Sequence, residues 1–91
     1  MPKKKYVVVE FPLPDGWMSM YIGRLVKRTE TSIILDHPCF ISHTGRRHLF
    51  FAGTPDSNAE WEPSGQRASL PAAGAVVTDW PHDFSPFMVP R

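Results

Sequence analysis

Cysteine occurs once in these 91 residues, at Cys39, so no internal disulfide framework exists. A reducing compartment is then the expected setting. No apolar run approaches the ~20 residues that a membrane-crossing helix needs. Lys3, Lys4 and Lys5 are followed only by Tyr6-Val7-Val8-Val9 before Glu10, too short a core for a secretory leader. Helix-period patterns with capping signals are missing, as are internal repeats. So are the P-loop, the dinucleotide fingerprint and the nucleophile elbow. Without those motifs the chain is expected to be no enzyme and to carry no cofactor. Net charge is only +1, which excludes a general polyanion binder. That charge is unevenly spread: residues 1–48 carry +4 and residues 49–91 carry −3. The first half could therefore meet an anion.

Proline is plentiful, with ten residues. Each would cost ~3 kcal/mol inside a helix, which argues against a helical bundle. The hydrophobic fraction of 42% is ordinary for a globular chain. At this length only about 60% of the unfolded surface is buried on folding, so an isolated monomer is expected to be marginal.

The β-branched and aromatic runs predict strands. Tyr6-Val7-Val8-Val9 reads as the first, ended by the turn Phe11-Pro12-Leu13-Pro14-Asp15-Gly16. Trp17 to Arg28 alternates, with Met18, Met20, Ile22 and Val26 on one face and Trp17, Tyr21 and Leu25 on the other. Gly23 in its middle marks a bulge or bend. Thr29-Glu30-Thr31 is a short turn leading into Ser32–Asp36, which predicts a hairpin. Cys39-Phe40-Ile41 resumes the strand after Pro38, and His48–Ala52 reads as the next one.

The expected organisation is one all-β domain over residues 1–91. Residues 1–5 are a basic end, 6–52 hold barrel strands, 53–67 form a long loop, 75–80 the last strand and 81–91 a proline-rich tail. About five short strands with a sharp bend suggest a small SH3-like or Sm-like barrel. The apolar tail residues Phe84, Phe87, Met88 and Val89 need cover, either on the barrel or on a neighbouring subunit. A homo-oligomer is therefore expected.

His37, Cys39, His43, Arg46, Arg47 and His48 form the densest polar cluster. Cys39 with His43 and His48 matches no zinc spacing, and no metal site is expected. Cys39 sits in an apolar run and reads as a buried structural thiol. Gly45-Arg46-Arg47-His48 beside Phe50 and Phe51 is the better candidate. Two guanidiniums can grip phosphate or carboxylate, and an aromatic ring can stack on a base. Lys27 and Arg28 join that patch if the fold brings their turn alongside. The other possibility is that these arginines pair with Asp36 or Glu30. Trp61, between Glu60 and Glu62, reads as a loop anchor or a partner contact. Phe84 and Phe87 are further candidates for partner contact.

Gly23-Arg24-Leu25-Val26 followed by Ile33-Ile34-Leu35-Asp36 resembles the bent hairpin of Sm-like proteins, which form rings and bind RNA. The family's Asp and Asn loop signature and its later Arg-Gly turn are absent here, so the resemblance implies the barrel more than RNA binding. Gly23, Leu25, Val26 and Arg28, then Arg46, Arg47, Phe50, Phe51 and Gly53, and finally Val76-Val77-Thr78, resemble small proteins of tailed bacteriophages. That resemblance implies a phage accessory protein in the cytoplasm of the bacterial host. It would bind either a nucleotide-like anion, whether signalling nucleotide or nucleic acid, or a host defence protein. A structural virion component is the third possibility.

Overall fold

The computed structural model describes residues 5–12 and 18–91. The expected turn at Leu13–Gly16, the face assigned to Trp17 and most of the basic N-terminal end lie outside the described residues, as does the Met18 side chain.

Six antiparallel strands form one sheet: β1 (Tyr6–Pro12), β2 (Met18–Arg28), β3 (Ser32–His43), β4 (Glu60–Pro63), β5 (Ala68–Pro71) and β6 (Val76–Asp79). Their order is β4-β3-β2-β1-β6, with β5 also paired to β3. β4 lies along Cys39–His43 and β5 along Ser32–Leu35, so they are two halves of one interrupted edge. β5 and β6 are not paired to each other, and the sheet is not closed. Among the described residues the chain is all-β but for a five-residue helix, α1 (Arg47–Phe51), and a 3₁₀ turn at Ser85–Met88.

The long β2–β3 hairpin bends where its register slips. Ile22 pairs with Cys39 and Arg24 with Asp36, so β3 carries one extra residue there. His37 absorbs it with a left-handed φ of 50°, a conformation that costs a non-glycine residue energy. Gly23 fits closely opposite: a β-carbon would lie 3.2 Å from the Asp36 carbonyl and from the Pro38 Cα, a tight approach to two backbone atoms. A second slip between Leu25 and Lys27 puts Val26 out in solvent, against its expected place on the Met20–Ile22 face.

The extra residue also sends Ile33 and Leu35 to one side of the sheet and Cys39 and Ile41 to the other, although all four are odd-numbered. Two cores result. Ile33 and Leu35 pack with Val7 and Val9, with Leu25, Leu70 and Val77 at the margin. Cys39 and Ile41 pack with Val8, Met20 and Ile22 under Phe50, Trp61, Trp80, Phe84 and Phe87. Each large side chain fully buried here contributes about 1.5–3 kcal/mol.

Two segments differ from the sequence expectation, and the tail takes one of its two expected places. His48–Ala52 lies largely in a helical turn, not a strand: Phe50 N–H donates to the Arg46 carbonyl at 3.0 Å. Gly53, with φ of 85°, caps the turn by donating to the Phe50 carbonyl at 3.0 Å. Only Phe50 of the run is buried, so strand alternation was never required of it. The 53–67 loop contains β4, where Trp61 points inward between exposed Glu60 and Glu62. The tail packs on its own sheet, with Phe84 stacked on Tyr6 at 4.5 Å between ring centroids.

Candidate anion-binding site

The Gly45 turn has the geometry expected of an anion cradle, and the chain fills it with its own carboxylates. Gly45 has φ of 66°, and the Asp56 carboxylate occupies the space where its β-carbon would be. Asp56 accepts from the Arg46 N–H at 3.0 Å and from the Asn58 N–H at 2.9 Å. The Arg46 N–H bond above all, with the Asn58 N–H and the nearby arginine charges, holds the Asp56 carboxyl below the usual carboxylate range. Arg47 donates through Nη2 to both oxygens of Glu10, at 2.7 and 2.6 Å. Glu10 is only 3% exposed, the one charged residue in the core among those described. The Arg47 guanidinium also lies 4.8 Å from the Phe51 ring centre.

Arg46 and His48 remain exposed. Phe50 is fully buried and offers no face to a base. Lys27 and Arg28 are exposed, but they pair with Ile34 and Ile33 near the start of β3, whereas Arg46 follows its end. The fold therefore keeps the two basic patches apart. Neither Arg46 nor Arg47 pairs with Asp36 or Glu30 among the described residues.

Trp61, Phe84 and Phe87 are 3%, 6% and 1% exposed, so all three are core residues of this chain. Of the two readings of Trp61, loop anchor or partner contact, burial fits the first, with its ring centre 4.6 Å from that of Phe87.

Cys39 is fully buried, and burial pushes its thiol up to about 12. His43 Nδ1 accepts the Gly45 N–H at 3.0 Å and so serves the turn. Among the described residues no three His, Cys, Asp or Glu side chains gather as a metal centre would need.

A different cluster forms at the β3 bulge. Two guanidiniums converge on the Asp36 carboxylate. Arg24 reaches it from β2 through Nη2, and Arg67 from the β4–β5 connection through Nε at 2.7 Å and Nη2 at 3.2 Å. The Arg67 bond, helped by the charge of both arginines, outweighs desolvation and keeps the Asp36 carboxyl below its ordinary value. Two cations on one anion leave a net positive charge. Arg24 and Arg67 keep 32% and 60% of their side chains exposed, with further N–H donors free of Asp36.

Next to Asp36, His37 lines a small cavity of about 70 Å³ with Pro63, Gly65, Phe84, Phe87 and Met88. Ser64 N–H donates to the Pro38 carbonyl at 2.8 Å, tying the β4–β5 connection to the bulge. Tyr6, paired with Arg24, stacks on Phe84 and so joins the arginines to the cavity. The chemistry on offer is charge-assisted donors beside an apolar recess, with a strained residue between them.

Sequence reasoning passed over Arg24 and Arg67. Arg24 stood out only as a break in an apolar row, and Arg67 lay in a segment without periodicity. Asp36 opposite Gly23-Arg24 in a hairpin was the one available signal.

No family model, curated protein or solved structure matches the chain.

Proposed function

We propose that the protein is a non-enzymatic binding module that holds a small anion of nucleotide type at the β3 bulge. The observation that carries this reading is the sharing of one Asp36 carboxylate by Arg24 and Arg67. A phosphate meeting that pair gains charge-assisted, bidentate contacts without stripping a buried carboxylate of its partner. At the Gly45 turn it would have to displace Asp56 or leave Glu10 unpaired. The recess beside His37, about 70 Å³ and lined in part by Phe84 and Met88, offers such a ligand an apolar contact at its edge and not an enclosing pocket.

The architecture is read as an SH3-like or Sm-like barrel with one seam open. Its support is the order β6-β1-β2-β3 followed by the interrupted edge β4/β5. A homo-oligomer belongs to the same proposal. Trp80 N–H donates inward to the Tyr6 carbonyl, so strand alternation turns the backbone of Val77 and Asp79 outward at the sheet edge. Val76 nearby is a large exposed apolar residue. The phage setting, with a role against host defence, rests on the resemblance at Gly23–Arg28 and Arg46–Gly53.

Calorimetric titration with AMP, inorganic phosphate and a short oligoribonucleotide tests the ligand. AMP should bind, and Arg67→Ala should weaken it roughly tenfold or more, since a charge-assisted contact is lost. Arg46→Ala should leave it unchanged. Affinity that grows with RNA length would replace the mononucleotide by a nucleic acid. Loss on Arg46→Ala instead of Arg67→Ala would return the site to the Gly45 turn.

A further inference from the structure

We infer that the outer edge of β4 is a docking site for an extended, arginine-bearing peptide segment, a site that residues 88–91 of this chain, beyond the core residue Phe87, fill from within. The contacts are those of an added strand. Trp61 N–H donates to the Arg91 carbonyl at 3.0 Å and Arg91 N–H to the Trp61 carbonyl at 2.9 Å. Such a reciprocal pair is the unit of antiparallel sheet, and it reads backbone in a way any extended segment can satisfy.

Side chains supply selectivity. Trp61 Nε1 donates to the carbonyls of Val89 at 2.9 Å and Pro86 at 3.2 Å, which fixes where the segment crosses the indole. The Arg91 guanidinium lies 5.0 Å from the Trp61 ring centre and donates through Nη2 to the Asp56 carbonyl at 2.8 Å. An arginine at this position thus meets a π face and an acceptor together.

Space and charge for an outside occupant are also present. A cavity of about 380 Å³ opens between the strand and the segment, lined by Ser42, Glu60, Trp61, Glu62, Pro90 and Arg91. Neither Glu60 nor Glu62 forms an ion pair among the described residues. A basic partner segment complements them, and Met88 and Val89 of the resident segment stay largely exposed. The resident segment holds its place through high effective concentration, so a partner must outcompete it. The segment's Met88 and the preceding Phe87 also line the recess beside His37, but the docking contacts at Trp61 and Arg91 involve neither Arg24, Asp36 nor Arg67.

The test uses the full-length chain and a fluorescein-labelled synthetic peptide with the sequence of residues 88–91. Arg91→Glu loosens the resident segment, so this variant should bind the peptide at least tenfold more tightly than the unaltered chain. A peptide with glutamate in place of its arginine should bind at least tenfold more weakly. Arg91→Ala should give the same ranking and decides the matter if Arg91→Glu melts early by circular dichroism. Equal binding to variant and unaltered chain, or indifference to the peptide's arginine, would overturn the proposal. Self-association that Arg91→Glu abolishes, seen by light scattering, would assign the edge to a second copy and overturn it too.

Discussion

The Asp56 carboxylate occupies the space beside Gly45 that a β-carbon would fill, and from there it takes the N–H of Arg46. The turn that reads as a cradle for a foreign anion therefore closes on one of the chain's own. Gly45→Ala faces two penalties together. A left-handed backbone costs an alanine roughly 1–2 kcal/mol, and Asp56 must move away. Urea unfolding should show a loss of at least that size. Gly74→Ala shares a positive φ but has open space around its β-carbon, so it should cost less.

Glu10 and Arg47 supply the second prediction. Arg47→Ala strands a carboxylate in the core, a change expected to cost ~2–3 kcal/mol given that the arginine is half exposed. Glu10→Gln should cost less, because an amide oxygen still accepts from Arg47. Replacing both by leucine should recover part of the loss of Arg47→Ala. Chemical denaturation of the four proteins checks the ranking. A double variant that loses as much as Arg47→Ala, or more, would contradict the stranding of Glu10.

Cys39 gives a third. Its burial and its thiol pushed up to about 12 leave almost no thiolate at pH 8. A thiol reagent should label the native chain only as fast as it unfolds, and label it at once in denaturant. Rapid native labelling would contradict the packing described.

Acid gives a fourth. Asp36, Asp56 and Asp83 all titrate below the ordinary value of 3.8 in the folded chain. A lowered folded value means that the unfolded chain binds protons first as pH falls. The stabilisation is fully present above about pH 5. It is lost as pH falls through 3.8 towards the folded values. Melting temperatures across pH 2.5–6 should fall at the acid end (roughly below pH 4). Asp36→Asn should flatten part of that fall.

Much of the sheet was legible in the chain. Tyr6–Val9, the hairpin about Thr29–Thr31 and the bend at Gly23 stand in the structure where β-branching, turn chemistry and a mid-strand glycine put them. Short elements were not legible, because β4 and α1 span four and five residues, too few repeats of either period to set a pattern apart. Trp61 shows why. One inward side chain between two glutamates has the same local pattern whether it caps a loop or fills a core. The candidate site at Asp36 was hidden for another reason. Arg67 reaches it from 31 positions away, and only the pairing of β5 on β3 brings them together.

The bulge, not the Gly45 turn, is the place proposed here for an anion. Amide chemical-shift mapping of the ¹⁵N-labelled chain during titration with AMP tests it most directly. Saturable shifts should gather at His37, Gly65 and Arg67 and vanish in Arg67→Ala, while Gly45 to His48 stay still. Shifts centred on Arg46 and Arg47, or no saturable shifts at millimolar AMP, would contradict it.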